Sequence, residues 1–190
     1  MSIINRIKYH ELSYDGGSFL LPDGVEVKAG EVLKVVEVPE NITEFPKEAE
    51  VAEADQTTIS FSSAAFSGIA EGDIVTFMQS IELKEPQSMQ WEISDLDGSS
   101  GRNQMGRFFR DRIASKRSLS CTWGSLDDRE MSELLQMMEE VFFTLEYPDA
   151  LTGKKRTGEF YVGNRSVPMM RQREDGSYMW QNVSATFTER

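Results

Sequence analysis

Polar and apolar positions alternate with a period of two along most of this chain, the pattern of strands with one buried face. The alternation is most regular at residues 57–62 (TTISFS) and 73–83 (DIVTFMQSIEL), on either side of the turn Ala70-Glu71-Gly72, and predicts an antiparallel pair. Shorter β-branched runs at 19–21, 25–27 and 32–38 are separated by Pro22-Asp23-Gly24 and Ala29-Gly30, both turn sequences. Residues 39–56 break the pattern, being acidic, poor in strong strand formers and interrupted by Pro39 and Pro46, and predict a loop with one ragged helical turn. Pro86 marks a predicted boundary between an acidic, β-rich N-terminal segment, 1–85, and a β domain, 86–190.

In the second part, residues 89–94 and 118–123 read as strands flanking a long charged excursion that projects from the core. A single helix is predicted near 125–140. Ser125 is placed to cap it, Asp127 and Asp128 stand in the first turn where the helix dipole favours acids, and Met131, Leu134, Leu135 and Met138 share one face. Residues 141–147 and 156–163 follow as an antiparallel pair across Pro148-Asp149 and Thr152-Gly153. A last hairpin is expected to join 166–171 to 178–187 around Glu174-Asp175-Gly176. The predicted fold class is therefore mainly β (α+β): an antiparallel sandwich or half-barrel with one packed helix and a projecting arm.

Charge changes the picture of that arm. The chain carries −12 overall, yet residues 102–117 hold six Lys/Arg against the single acid Asp111, net +5. Residues 11–98 hold 4 Lys/Arg against 19 Asp/Glu, net −15, so a neighbouring copy offers the complementary surface, as in a head-to-tail ring or tube. Met105, Phe108 and Phe109 are interleaved with the arginines, a composition that suits a buried interface centre. Arg102, Arg107, Phe108, Phe109, Arg110 and Arg112 are the candidate intersubunit residues. As a loop or as an amphipathic helix built on Met105, Phe108, Phe109 and Ile113, the arm would order only against a neighbour. The acidic balance argues against specific nucleic-acid binding. No run approaches a membrane span and the start lacks signal-peptide character, which predicts a protein made and kept in a cytoplasm.

Catalytic chemistry is sparse. His10 is the only histidine and is expected to be exposed and idle, so neither a His-rich metal site nor a Ser-His or Cys-His pair is available. Cys121 shares strand parity with Leu119 and Trp123 and reads as a small core residue. The run Gly98-Ser99-Ser100-Gly101-Arg102 lacks the spacing of a phosphate loop. Asp95 and Asp97 are turn-type acids, too few for a calcium loop. No catalytic residue, cofactor or metal is predicted. From another class, Trp91, Trp123 and Trp180 are stacking platforms for a carbohydrate-binding adaptor, although core packing accounts for each more simply. A hydrolase is disfavoured by the missing catalytic set.

Several motifs carry a resemblance. Trp91-Glu-Ile-Ser-Asp, Ser100-Gly-Arg-Asn-Gln-Met-Gly, Arg110-Asp-Arg-Ile-Ala-Ser-Lys-Arg, Leu119-Ser-Cys-Thr-Trp, Glu146-Tyr-Pro-Asp-Ala-Leu-Thr-Gly, Arg156-Thr-Gly-Glu-Phe-Tyr-Val-Gly-Asn-Arg and Thr186-Phe-Thr-Glu-Arg resemble small tail proteins of phages and prophages of Gram-positive bacteria. The resemblance spans about residues 86–190. It implies the tail-tube fold of tube and distal tail (baseplate hub) proteins and a non-enzymatic virion subunit assembled in the bacterial cytoplasm. It also implies a hexameric ring around the DNA channel, with tube, tape measure or tail-tip proteins as neighbours. Residues 1–85 fall outside that pattern as an added segment, and their stretch from Ile59 to Leu83 is loosely like the small β modules that phage structural proteins append.

Overall fold

The computed structural model describes residues 3–42, 45–62, 66–163, 165 and 167–190. It is mainly β, with 56% of the described residues in strands and one helix among them. The chain forms two compact units, one of residues Ile7–Ile81 and one of residues 3–6 with 82–190.

The first unit is a closed six-stranded antiparallel barrel. Its strands are β1 (Asn5–Tyr14, whose first two residues count with the second unit), β2 (Phe19–Leu20), β3 (Val32–Glu37), β4 (Glu48–Ala54), β5 (Thr58–Phe61) and β6 (Ile74–Glu82). Around the barrel the order is β1-β2-β5-β4-β3-β6, and β6 returns to β1. Closure changes two expectations. The runs predicted to pair with each other do not: β5 lies between β2 and β4, and β6 pairs with β3. The acidic stretch 39–56 contains β4, because Ala49 and Val51 point inward between outward glutamates and period-two burial outweighs a composition poor in strand formers. Residues 25–27 are not a strand, although Val27 is buried.

Tight turns are set by Asp15, which accepts the amides of Gly17 and Ser18, and by Asp55, which accepts those of Thr57 and Thr58. Inside, Phe19, Phe61, Phe66 and Phe77 form one aromatic knot with centroid separations of 5.1 to 5.7 Å, mostly edge to face. His10 is in β1, not at a loose terminus. It is 7% exposed and its Nε2 lies 2.9 Å from Gln79 Oε1, whose amide in turn donates to the Glu26 carbonyl and the Glu31 carboxylate.

The second unit is built on β7 (Ser88–Arg102), β8 (Phe108–Trp123), β10 (Phe143–Asp149), β11 (Lys154–Val162) and β14 (Val183–Glu189), in the antiparallel order β10-β11-β14-β8-β7. A small second sheet joins β9 (Leu126–Asp127), β12 (Met169–Gln172) and β13 (Tyr178–Trp180). The predicted pairing of residues 141–147 with 156–163 is present as β10 and β11. The predicted last hairpin is divided: β12 and β13 pair around Gly176, while β14 crosses to the large sheet between β11 and β8. Asn182, with φ of 54°, makes that change of direction. Ser166, the expected start of the hairpin, lies outside the described residues.

The helix α1 (Asp128–Met137) begins two residues later than Ser125 would place it. Leu126 and Asp127 are held in β9, so Asp127 is the cap and forms a reciprocal capping box with Glu130. Met131, Leu134 and Met137 turn into a core with Trp123, Phe143, Leu145 and Phe187, and Leu135 sits at its margin. Replacing Phe77 in the barrel by alanine removes a fully buried ring from the aromatic knot and is expected to cost about 3–5 kcal/mol; a urea titration that shows a loss below about 1 kcal/mol would mean the knot is loosely packed.

Candidate functional site

The segment expected to be a disordered or helical arm is a two-stranded ribbon. Strands β7 and β8 pair from Ser88↔Thr122 out to Arg102↔Phe108, with a local irregularity of register around Asp97. The flanking strand is lost early, because β14 pairs with β8 only from Trp123 to Ser118, and beyond that point, among the described residues, β7 and β8 pair only with each other. The tip is closed by Asn103, whose side-chain oxygen accepts the amides of Met105 and Arg107, with Gly106 at φ of 76°. Backbone pairing within the ribbon satisfies the polar groups that β7 and β8 turn toward each other.

The ribbon has two unlike faces. Arg110 stands opposite Ser100 and Phe109 opposite Gly101, so alternation sends the arginine and the phenylalanine to opposite sides. On one side Arg110 bridges Asp97 at 2.9 Å and Asp95 at 2.8 Å, Arg112 approaches Asp95 at 3.6 Å, and Ser115 and Ser100 donate to Asp95 and Asp97. The Ser115 hydrogen bond, against a smaller effect of burial and with Arg110 and Arg112 adding to it, holds the Asp95 carboxyl below its ordinary value. On the other side apolar side chains lie across glycines. A methyl at Gly98 would stand 2.8 Å from Ile113 Cδ1, and one at Gly101 would stand 3.4 Å from Phe109 Cε1. Leu96, Ile113 and Phe109 are at least half exposed on this side, and Phe108, on the arginine side by the same alternation, and Met105 in the tip are exposed as well, Met105 at 87%.

These contacts redistribute the charge seen in the sequence. Over the whole ribbon, residues 88–123, six basic residues meet four acidic ones, and Asp95 and Asp97 engage Arg110 and Arg112 directly. Arg102 donates to the Gly106 carbonyl at 2.9 Å. Among the described residues, neither Arg102 nor Arg107 has a carboxylate partner. The uncompensated cations are at the tip, beside Met105, Phe108 and Phe109.

The root of the ribbon is a buried ion network that sequence reading missed. Arg117 is the last buried residue of β8 before the ribbon leaves the sheet. Its guanidinium contacts Asp149 at 3.3 and 3.5 Å and Glu189 at 3.4 Å, its amide donates to Glu189 at 3.0 Å, and Glu189 also meets Arg156 at 3.3 Å. Asp149, 1% exposed, further accepts the Leu151 amide and the Thr152 hydroxyl and so closes the β10–β11 turn. Burial alone would push the Asp149 carboxyl up; the Arg117 hydrogen bonds, the Leu151 amide and the Thr152 hydroxyl outweigh it and hold the group below its ordinary value. Burial likewise raises the neighbouring Tyr147 phenol, whose hydroxyl has no hydrogen-bond partner. The signal was available: Arg117 has the same parity as the core residues Leu119, Cys121 and Trp123, which marks an inward charge in need of partners.

Elsewhere, the Gly98–Arg102 run is strand and not a phosphate loop. Cys121 is buried, and burial pushes its thiol up to about 12. Trp123 is buried and Trp91 packs on the core, whereas Trp180 is half buried, donates to Asp128 Oδ1 at 2.9 Å and lines an open groove of about 460 Å³ with Leu135, Gln136 and Arg165. Among the described residues no cluster of His, Cys, Asp and Glu is arranged to hold a metal ion, and no helix is long and apolar enough to cross a membrane. The chain matches no protein-family model, no curated protein and no solved structure.

Two outcomes follow from this geometry. Because the folded Asp149 carboxyl sits below the ordinary 3.8, its contribution to stability is complete above that pH and is lost as pH falls through the folded value. Asp149→Asn is therefore expected to be less stable than wild type by a constant margin between pH 7 and 5 and by a shrinking margin below about pH 4, read by urea unfolding; a margin unchanged down to pH 3 would mean the carboxylate is not what Arg117 needs. Arg110→Glu puts a third carboxylate beside Asp95 and Asp97 and is expected to abolish amide-exchange protection in residues 97–112 while sparing 118–123. Arg107→Glu is expected to leave both regions protected.

Proposed function

We propose that the protein is a non-enzymatic structural subunit of a phage tail, in the distal tail (baseplate) ring or the tube, that self-assembles into rings through the β7–β8 ribbon. One observation carries the assembly part: a ribbon that leaves its sheet while holding Leu96, Met105, Phe108, Phe109 and Ile113 out in solvent, next to two uncompensated arginines. Apolar and arginine side chains concentrated on one projecting element suit an interface centre. The outer edge of β7, with no strand partner other than β8 among the described residues, adds a row of backbone donors and acceptors that a neighbouring subunit could meet.

The tail assignment rests on the resemblance of residues 86–190 to small tail proteins of Gram-positive phages, and a mainly β architecture with one packed helix is compatible with the tail-tube fold. A net charge of −12 suits a channel wall along which a polyanion slides without sticking. In the virion, tube, tape measure and tail-tip proteins would be its neighbours.

The second reading, a host-surface carbohydrate-binding adaptor, is favoured only by the groove at Trp180, since Trp123 and Trp91 are committed to the core. The two separate cleanly in one experiment. Light scattering and sedimentation across a salt series are expected to show rings that weaken as salt screens the charged contacts. A strictly monomeric species at low salt and high concentration, with tryptophan fluorescence that responds to cell-wall glycans, would replace the tail reading with the adaptor.

A further inference from the structure

The charge of this protein is concentrated in the barrel. Residues 7–81 hold 14 Asp/Glu against 4 Lys/Arg, net −10, leaving −2 for all the rest. One part of the barrel surface also exposes apolar side chains. On β3, β4 and β6 the inward residues Leu33, Ala49, Val51, Val75 and Phe77 are buried, which turns their sequence neighbours outward. Cross-strand register then sets Val32 beside Glu50, Lys34 between Glu48 and Met78, and Glu37 beside Thr76. A bulge between Val35 and Glu37 leaves Val36 half exposed, and Val32 and Ile74 are 51% and 55% exposed. Among the described residues, Glu37, Glu48 and Glu50 take part in no ion pair. The outer wall of β3, β4 and β6 thus offers three free carboxylates around exposed valine and isoleucine, with one lysine.

We infer that this wall is the receiving surface for the ribbon tip of a second copy of the chain. The tip brings what the wall lacks: two arginines without carboxylate partners, Arg102 and Arg107, and the exposed side chains of Met105, Phe108 and Phe109. Like charge keeps one barrel from meeting another, and the ribbon tip is the basic, apolar element that matches the wall in both properties. The barrel is closed, so it has no strand edge to extend, and docking there is by side chains. The inference rests on the self-assembly proposed above and names the surface that assembly uses.

The test uses full-length chains with charges exchanged on either side of the contact. R102E/R107E and E48K/E50K are each expected to weaken self-association at low salt by at least about tenfold in sedimentation velocity. Combining all four substitutions in one chain, or mixing the two double variants, is expected to restore assembly, with circular dichroism confirming that every variant is folded. If E48K/E50K assembles like wild type while R102E/R107E does not, the tip binds elsewhere and this inference falls while self-assembly stands. Loss in both double variants without recovery in the combination overturns the pairing as well. A wild type that remains monomeric at all concentrations removes the self-assembly reading and this surface with it.

Discussion

A guanidinium buried inside a β-sheet cannot remain unpaired, and the second unit is arranged around that requirement. Isolated, the Arg117 charge would be costly at its depth; with Asp149 at the end of β10 and Glu189 on the neighbouring β14 it becomes a crosslink between β8, β10 and β14. Its place along the chain gives it consequence. On one side of Arg117 the strand alternates buried and exposed residues within a sheet, and on the other every residue from Phe108 to Ile113 faces solvent. A long two-stranded ribbon is marginal by itself in water. Tying its base to two carboxylates, one of which also closes a turn, fixes the direction in which the ribbon leaves.

The two units solve the problem of a small core differently. The barrel closes on itself and fills its interior with four phenylalanines, packed mostly edge to face, so its outer wall is free to be strongly acidic. The second unit leaves β7 open at the edge and covers one part of its core with α1, whose capping box sets where the helix starts. Its polar interactions are correspondingly more specific, from the Asp127–Glu130 cap to the ion pairs along the ribbon.

How much of this was legible in the sequence depended on whether the deciding contacts were local. Period-two alternation located β5 and β6, β-branched runs and turn sequences located β3, β10 and β11, and the helix was visible from its apolar spacing. What alternation cannot supply is the partner. The order of strands in the barrel follows from closure, a global constraint, and so residues 57–62 and 73–83 looked like neighbours when they are not. β4 was hidden because Glu48, Glu50 and Glu53 depress every local strand signal while Ala49 and Val51 do the packing. The ribbon resembles a free arm in sequence because Asp95 and Asp97 precede Arg110 and Arg112 by a dozen or more residues and meet them only through strand pairing. For His10 the reason is simpler: nearness to the chain start suggests exposure, yet β1 is the strand that closes the barrel and buries it.

Cys121 is the only cysteine of the chain, and it is sealed in the core with a thiol that stays protonated at any ordinary pH. The native surface is therefore silent toward thiol reagents. A single cysteine introduced at an exposed position of the ribbon or of the barrel wall would be the sole reactive sulfur, so spin labels, fluorophores or crosslinkers could report on one chosen site without removing any native residue.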